Sequence, residues 1–170
     1  AGFLITKKWS VTANATFSQN KIVEFNEYID NYDNYDANGN MIQTVIQHRN
    51  TDLAFSPFFI ASGAISYEPM KNLNINWMTK MVGDQFLDNT SSQARKIDRY
   101  ITNNISINYS IQKLGFEAIQ ISLLANNIFN YMYVSNGYTF GYISGGERTT
   151  ENFYYPQAGR NFLARLTFKI

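Results

Sequence analysis

The sequence predicts an all-β chain, an antiparallel transmembrane β-barrel segment, on three observations. Apolar and polar residues alternate with period two in one run after another. The connections between runs alternate between short turns and long polar stretches. The closing run, 161–170, sets Phe162, Ala164, Leu166, Phe168 and Ile170 against Asn161, Leu163, Arg165, Thr167 and Lys169, with nothing after it to cover the apolar row. Strands of a membrane barrel have this character, one face toward lipid and the other toward a wet lumen.

Six runs carry the pattern. The first holds Trp9, Val11, Ala13, Ala15 and Phe17, then Val23 and Phe25, opposite Ser10, Thr12, Asn14, Thr16 and Ser18. It reads as one long strand. The second places Phe55, Phe59, Ala61, Gly63, Ile65 and Tyr67 on one face, and after a turn at 68–72 the third has Leu73, Ile75, Trp77 and Met81 opposite Asn74, Asn76, Met78 and Lys80. The fourth is the cleanest: Ile101, Ile105, Ile107, Tyr109 and Ile111 alternate with Thr102, Asn104, Ser106, Asn108 and Ser110, and one polar residue, Asn103, interrupts the apolar row. A turn at 112–116, around Lys113-Leu114-Gly115, leads to the fifth, with Ile119, Ile121, Leu123 and Ala125 on one face. Phe3 and Ile5 read as the end of a preceding strand. Trp9, Tyr67 and Trp77 fall near the short turns and fit an interfacial aromatic belt.

The long stretches, 27–52, 89–99 and 130–160, all leave one end of the strands. That is the barrel layout, short turns on one rim and long loops on the other. A secreted β-sandwich binding carbohydrate would share the alternation without any reason to put every long loop at one end. A small barrel with no transport role is the other alternative. Six or seven strands cannot close a membrane barrel, for which about eight is the bacterial minimum, so the edge strands need partners from elsewhere.

Composition agrees. Hydrophobic residues at 45% and aromatics at 16% exclude disorder, and a net charge of +1 gives no basic stripe for nucleic acid. No window approaches the ~18 apolar residues of a membrane helix. The mean hydropathy of -0.29 is what half-apolar strands average to. The N-terminal residues show no charged leader followed by an apolar stretch, so the expectation is a leader already removed or a chain that starts in mid-protein.

The motifs resemble the C-terminal part of TonB-dependent outer-membrane receptors. The resemblance is strongest at Asn126-Asn127-Ile128-Phe129-Asn130, at 135–142 (SNGYTFGY) and at 154–162 (YYPQAGRNF), with further matches at 20–22, 53–57 and 82–90. It implies that residues 1–170 are the last six or seven strands of a barrel of about 22 strands, without the plug domain that fills it. It also implies an outer-membrane location, with lipid, the remaining strands, the plug and, through the plug, TonB as partners. The ligand would be a bulky nutrient: a ferric siderophore, a cobalamin or an oligosaccharide. The chain ends in Ile170, where such proteins usually end in Phe or Trp; Phe168 is the nearest aromatic.

No nucleophile, base and orienter set emerges, His48 has no second imidazole or thiol beside it, and neither catalysis nor a cofactor is expected. The acidic stretch Asp30 to Gly39 offers oxygens for Ca²⁺ but not in EF-hand register, so a solvated loop turning at Asn38-Gly39 is the expectation. Gly137, Gly141, Gly145 and Gly146 read as loop flexibility. Tyr138, Tyr142, Tyr154 and Tyr155, together with Arg148, are the candidate substrate contacts in 131–160. Tyrosines there serve either as rim packing or as stacking surfaces for a ligand. Arg148 and Arg160 either meet an anion or are neutralised by Glu147 and Glu151.

Overall fold

The computed structural model describes residues 1–112 and 117–169. The turn around Lys113-Leu114-Gly115 and the terminal Ile170 lie outside the described residues. The largest feature is a seven-stranded antiparallel wall. It is built from β1 (Gly2–Thr6), β2 (Trp9–Phe17), β5 (Phe59–Met70), β6 (Leu73–Val82), β9 (Tyr100–Ile111), β10 (Ala118–Asn126) and β13 (Asn161–Lys169), neighbouring in that order. Two remaining hairpins, β3 (Lys21–Asn31) with β4 (Thr44–Asp52) and β11 (Val134–Ser144) with β12 (Glu147–Pro156), join in a second sheet of order β12-β11-β3-β4. The short strands β7 (Gln85–Phe86) and β8 (Lys96–Ile97) pair with each other.

The wall is open at β1 and β13. Its register sorts the side chains as the alternation predicts, because directly opposed residues share a face. Ile75, Ile107, Leu123 and Ala164 form one rung, and Leu73, Tyr109, Ile121 and Leu166 the next. Rungs of the other face read Asn74, Asn108, Ser122 and Arg165, then Asn76, Ser106, Leu124 and Leu163. On that face short polar side chains bond laterally: Ser66 Oγ donates to Asn76 Oδ1 (2.6 Å) and Asn76 Nδ2 to Ser106 Oγ (3.2 Å). No second sheet covers the apolar row among the described residues: Phe162 is 72% and Leu166 56% exposed on the edge strand, and Leu123 46% within the sheet. A β-sandwich would bury that row against a second sheet. The polar interruption is also explained: Asn103 Oδ1 accepts from Thr79 Oγ1 (2.7 Å) and from the Trp77 indole (3.2 Å), so the row supplies its own partners.

Three expectations need correction. The first run is not one strand: β2 ends at Phe17, and Ser18 to Asn20 turn the chain into the other sheet. Pro57 lies opposite this break, where its missing N–H cannot extend a ladder, and Ser18 Oγ bonds its carbonyl (3.2 Å). Phe55 likewise lies outside β5, in a left-handed conformation (φ 53°). Trp77 does not belong with the belt of the short turns. Trp9 and Tyr67 do stack there, with ring centroids 4.2 Å apart, but Trp77 meets Phe129 at the long-connection side.

The long connections are not loose loops. They carry β3-β4, β7-β8 and β11-β12, and the deeply buried hydrophobic residues among those described lie in them or at their root: Ile29, Leu87 and Ile97, with Val82 at the exit of β6. The seven-stranded wall itself holds little buried apolar surface; the buried core among the described residues sits in and at the root of these connections.

Candidate functional site

The three connections meet around one carboxylate. Glu27 on β3 accepts from Arg95 Nη1 (3.0 Å) and Arg148 Nη2 (2.5 Å) at Oε1, while His48 Nε2 lies 2.9 Å from its Oε2. Arg95 also pairs with Asp88 and is only 5% exposed. His48 is held flat against Phe25, its cross-strand partner on β3, with centroids 5.0 Å apart. Burial pushes the Glu27 carboxyl up, but the bonds from Arg95, His48 and Arg148 outweigh it and bring its pKa from 4.5 down to about 2. The charge on Glu27 therefore stabilises the cluster fully above about pH 4.5, and that contribution is lost as pH falls toward 2. Pepsin cleavage within 21–52, normalised to an unstructured peptide, is expected to accelerate across that window. A constant rate contradicts it.

A second tie joins the hairpin tips. Gly145 and Gly146 have φ of 65° and 79°, the left-handed pair that a two-residue hairpin turn requires. Both of their N–H groups donate to Asp33, at 2.9 and 2.8 Å, which lowers the pKa of that carboxyl. These glycines are thus a fixed turn rather than a flexible one. The other carboxylates of the acidic stretch are engaged separately: Asp36 receives Asn38 N and Asn40 N, each at 2.8 Å, and Asp30 receives Gln43 Nε2 at 2.8 Å. Beside Asp33, β3 and β11 run parallel, with Tyr142 opposite Asp30.

The candidate contacts fall on two faces of the β12-β11-β3-β4 sheet. Tyr138 and Tyr142 lie on one face with Phe140; Tyr138 stacks on Phe153 (4.8 Å) and lies near Tyr155 (6.2 Å), and Tyr142 meets Tyr32 edge-on (5.9 Å). This aromatic surface is open. Arg148 and Tyr154 turn to the opposite face, toward 83–99. There the Tyr154 hydroxyl donates to Lys96 O (3.4 Å), and Tyr154 lines a cleft of about 400 Å³ with Ile97, Arg99 and Tyr133. Gly137 is on this covered face; a Cβ there would run into the Phe153 carbonyl and press on Leu87. Arg148 is neutralised by Glu27, 121 residues away, rather than by Glu147 or Glu151.

At the root of the third connection Asn127 is buried with φ 48°. Its Nδ2 donates to Tyr131 O (2.9 Å) and Ala158 O (3.2 Å), its Oδ1 accepts from Tyr131 N (3.0 Å), and its own N–H reaches Asn104 Oδ1 (2.9 Å). Asn130 Oδ1 accepts from Arg160 N (2.9 Å). The asparagine motif is a clamp that closes the two ends of the connection onto the wall.

Sequence reasoning missed Glu27, Asp88, Arg95 and Asp33 as a set, since nothing local links them. The hairpin β11-β12 did carry a local signal, Gly145-Gly146 between two alternating runs.

No protein-family model and no curated protein matches this chain. Solved structures do. The siderophore receptor PiuA from Acinetobacter baumannii superposes on 98% of this chain with a TM-score of 0.64 at 14% identity. This chain shares its fold with a section of that receptor. The ferric yersiniabactin uptake receptor FyuA from Yersinia pestis superposes on 96% with a TM-score of 0.53 at 15% identity. The chain spans 20% and 21% of the lengths of these receptors. The likeness covers wall and connections together.

Proposed function

We propose that this chain is the C-terminal wall-and-loop section of a TonB-dependent outer-membrane receptor that imports a bulky nutrient: a ferric siderophore, a cobalamin or an oligosaccharide. The observation that supports it most is the likeness to PiuA over 98% of the chain, together with a bare apolar row on one side of the wall and a polar one on the other. In this reading the apolar row faces lipid, the short turns lie at the periplasmic rim, and the capped connections stand outside the cell. The remaining strands close the barrel, and a plug elsewhere in the protein meets TonB.

The open aromatic surface of Tyr138, Tyr142 and Tyr155 is the ligand-facing part of the chain. Tyrosine offers large contact area at low rotamer cost. Arg148 and Tyr154 act behind it, holding the sheet on 83–99. Replacing Tyr138 and Tyr142 together by alanine in the intact receptor is expected to weaken binding at least tenfold, about 1.4 kcal/mol, with assembly unchanged. The measurement is uptake and equilibrium binding across a panel of ferric chelates, cobalamins and oligosaccharides. Unaltered affinity for the ligand that the parent receptor binds would assign these rings to packing.

A further inference from the structure

Three hairpins leave one side of the wall, and a lone two-stranded hairpin is at best marginally stable in water. Here each connection is tied to both of the others. The first and second meet where Phe55 N donates to Phe86 O (3.0 Å) and Ala54 N to Asn89 Oδ1 (2.8 Å). The second and third meet where Asn152 Nδ2 donates to Ala94 O (2.6 Å). The first and third meet at Asp33 with Gly145 and Gly146, and where Tyr32 N donates to Ile143 O (2.9 Å).

One ion cluster draws on all three connections. Glu27 comes from the first connection, Arg95 from the second and Arg148 from the third, and both guanidinium groups donate to the same carboxylate oxygen. Arg95 passes from Glu27 to Asp88 and reaches Thr150 Oγ1 on the third connection at 3.5 Å. Removing a partner from so buried a cluster leaves uncompensated charge facing the other two connections, so loss cannot stay local. The buried apolar residues also come from these connections, Ile29 from the first and Leu87 and Ile97 from the second, and the third presents Gly137 to Leu87.

We infer that the three long connections form one cooperative cap, keyed at Glu27, which opens and closes as a unit rather than loop by loop. Groups that share a core and an ion cluster exchange their amide protons through a common opening. The cap is thus a single lid over this side of the wall. A ligand gripping the open aromatic surface would bias all three connections at once, through β3 and β11.

The test is native-state amide hydrogen exchange on the intact receptor in detergent micelles, comparing the parent with Glu27→Gln, Arg148→Gln and, as a control, Asp36→Asn. Glu27→Gln is expected to raise exchange at least tenfold in 21–31, 85–97 and 134–156 together, leaving 101–111 and 119–125 unchanged. Arg148→Gln touches the cluster from its outer side and keeps Glu27 with Arg95, so it serves should the first variant fail to assemble; it is expected to raise the same three segments together by a smaller common factor. Asp36→Asn, whose bonds stay within its own turn, is expected to change 33–42 alone. Acceleration confined to 21–31 for Glu27→Gln, or to 147–156 for Arg148→Gln, would overturn the inference. So would unequal opening rates of the three segments in the parent.

Discussion

Replacing Arg95 by methionine is expected to destabilise the capped connections by roughly 3–5 kcal/mol, the cost of breaking a buried ion pair from one side. Methionine keeps much of the packing volume but leaves Asp88 without its guanidinium and Glu27 with only Arg148 and His48. Thr90, whose N–H and hydroxyl both reach Asp88 Oδ1, offsets part of the loss. Arg95→Lys is expected to recover less than half of it, because a point charge cannot reach Glu27, Asp88 and Thr150 together as the planar fork does. The free energy of opening, read from hydrogen exchange of 85–97 in increasing urea, measures both. An unchanged opening energy for Arg95→Met would mean that the apolar core alone holds the cap.

Ile107→Arg is expected to cost roughly 2–4 kcal/mol in lipid, the cost of arginine on a lipid face near the bilayer midplane. Ile107 sits on a central apolar rung, between Ile75 and Leu123. Its neighbour Asn108 lies on a polar rung with Asn74 and Ser122, and Ser122 separates it from Arg165. Asn108→Arg is therefore expected to be nearly neutral. Denaturant midpoints of the two variants folded into the same vesicles give the comparison, and equal costs contradict the assignment of faces.

The wall was legible in the sequence because its two environments repeat at every second residue. From Leu73 to Val82 and from Tyr100 to Ile111 no distant partner is needed to decide which side chains share a face. The cap was not legible for the opposite reason. Glu27 and Arg148 are 121 residues apart, and the acidic residues beside Arg148 offered a nearer, wrong partner. Local alternation also ran the first strand through Ser18 to Asn20, since Val23 and Phe25 kept the same parity; the break lies opposite Pro57, a residue distant in sequence. Of the five candidate contacts, Tyr138, Tyr142 and Tyr155 emerged on one open surface. Which face of β11-β12 would be covered depended on Leu87 and on Arg95, the latter in 89–99, a segment read from the sequence as a long polar stretch.

In the proposed reading one face of this wall meets lipid and the other water. This chain has no cysteine, and single cysteines at 119 to 123, introduced into a cysteine-free form of the intact receptor, place a fluorophore at successive positions of β10 in turn. In vesicles, labels at Ile119, Ile121 and Leu123 are expected to be quenched by brominated acyl chains and shielded from iodide. Labels at Gln120 and Ser122 are expected to show the reverse. Iodide quenching at all positions, or the opposite alternation, would contradict the account.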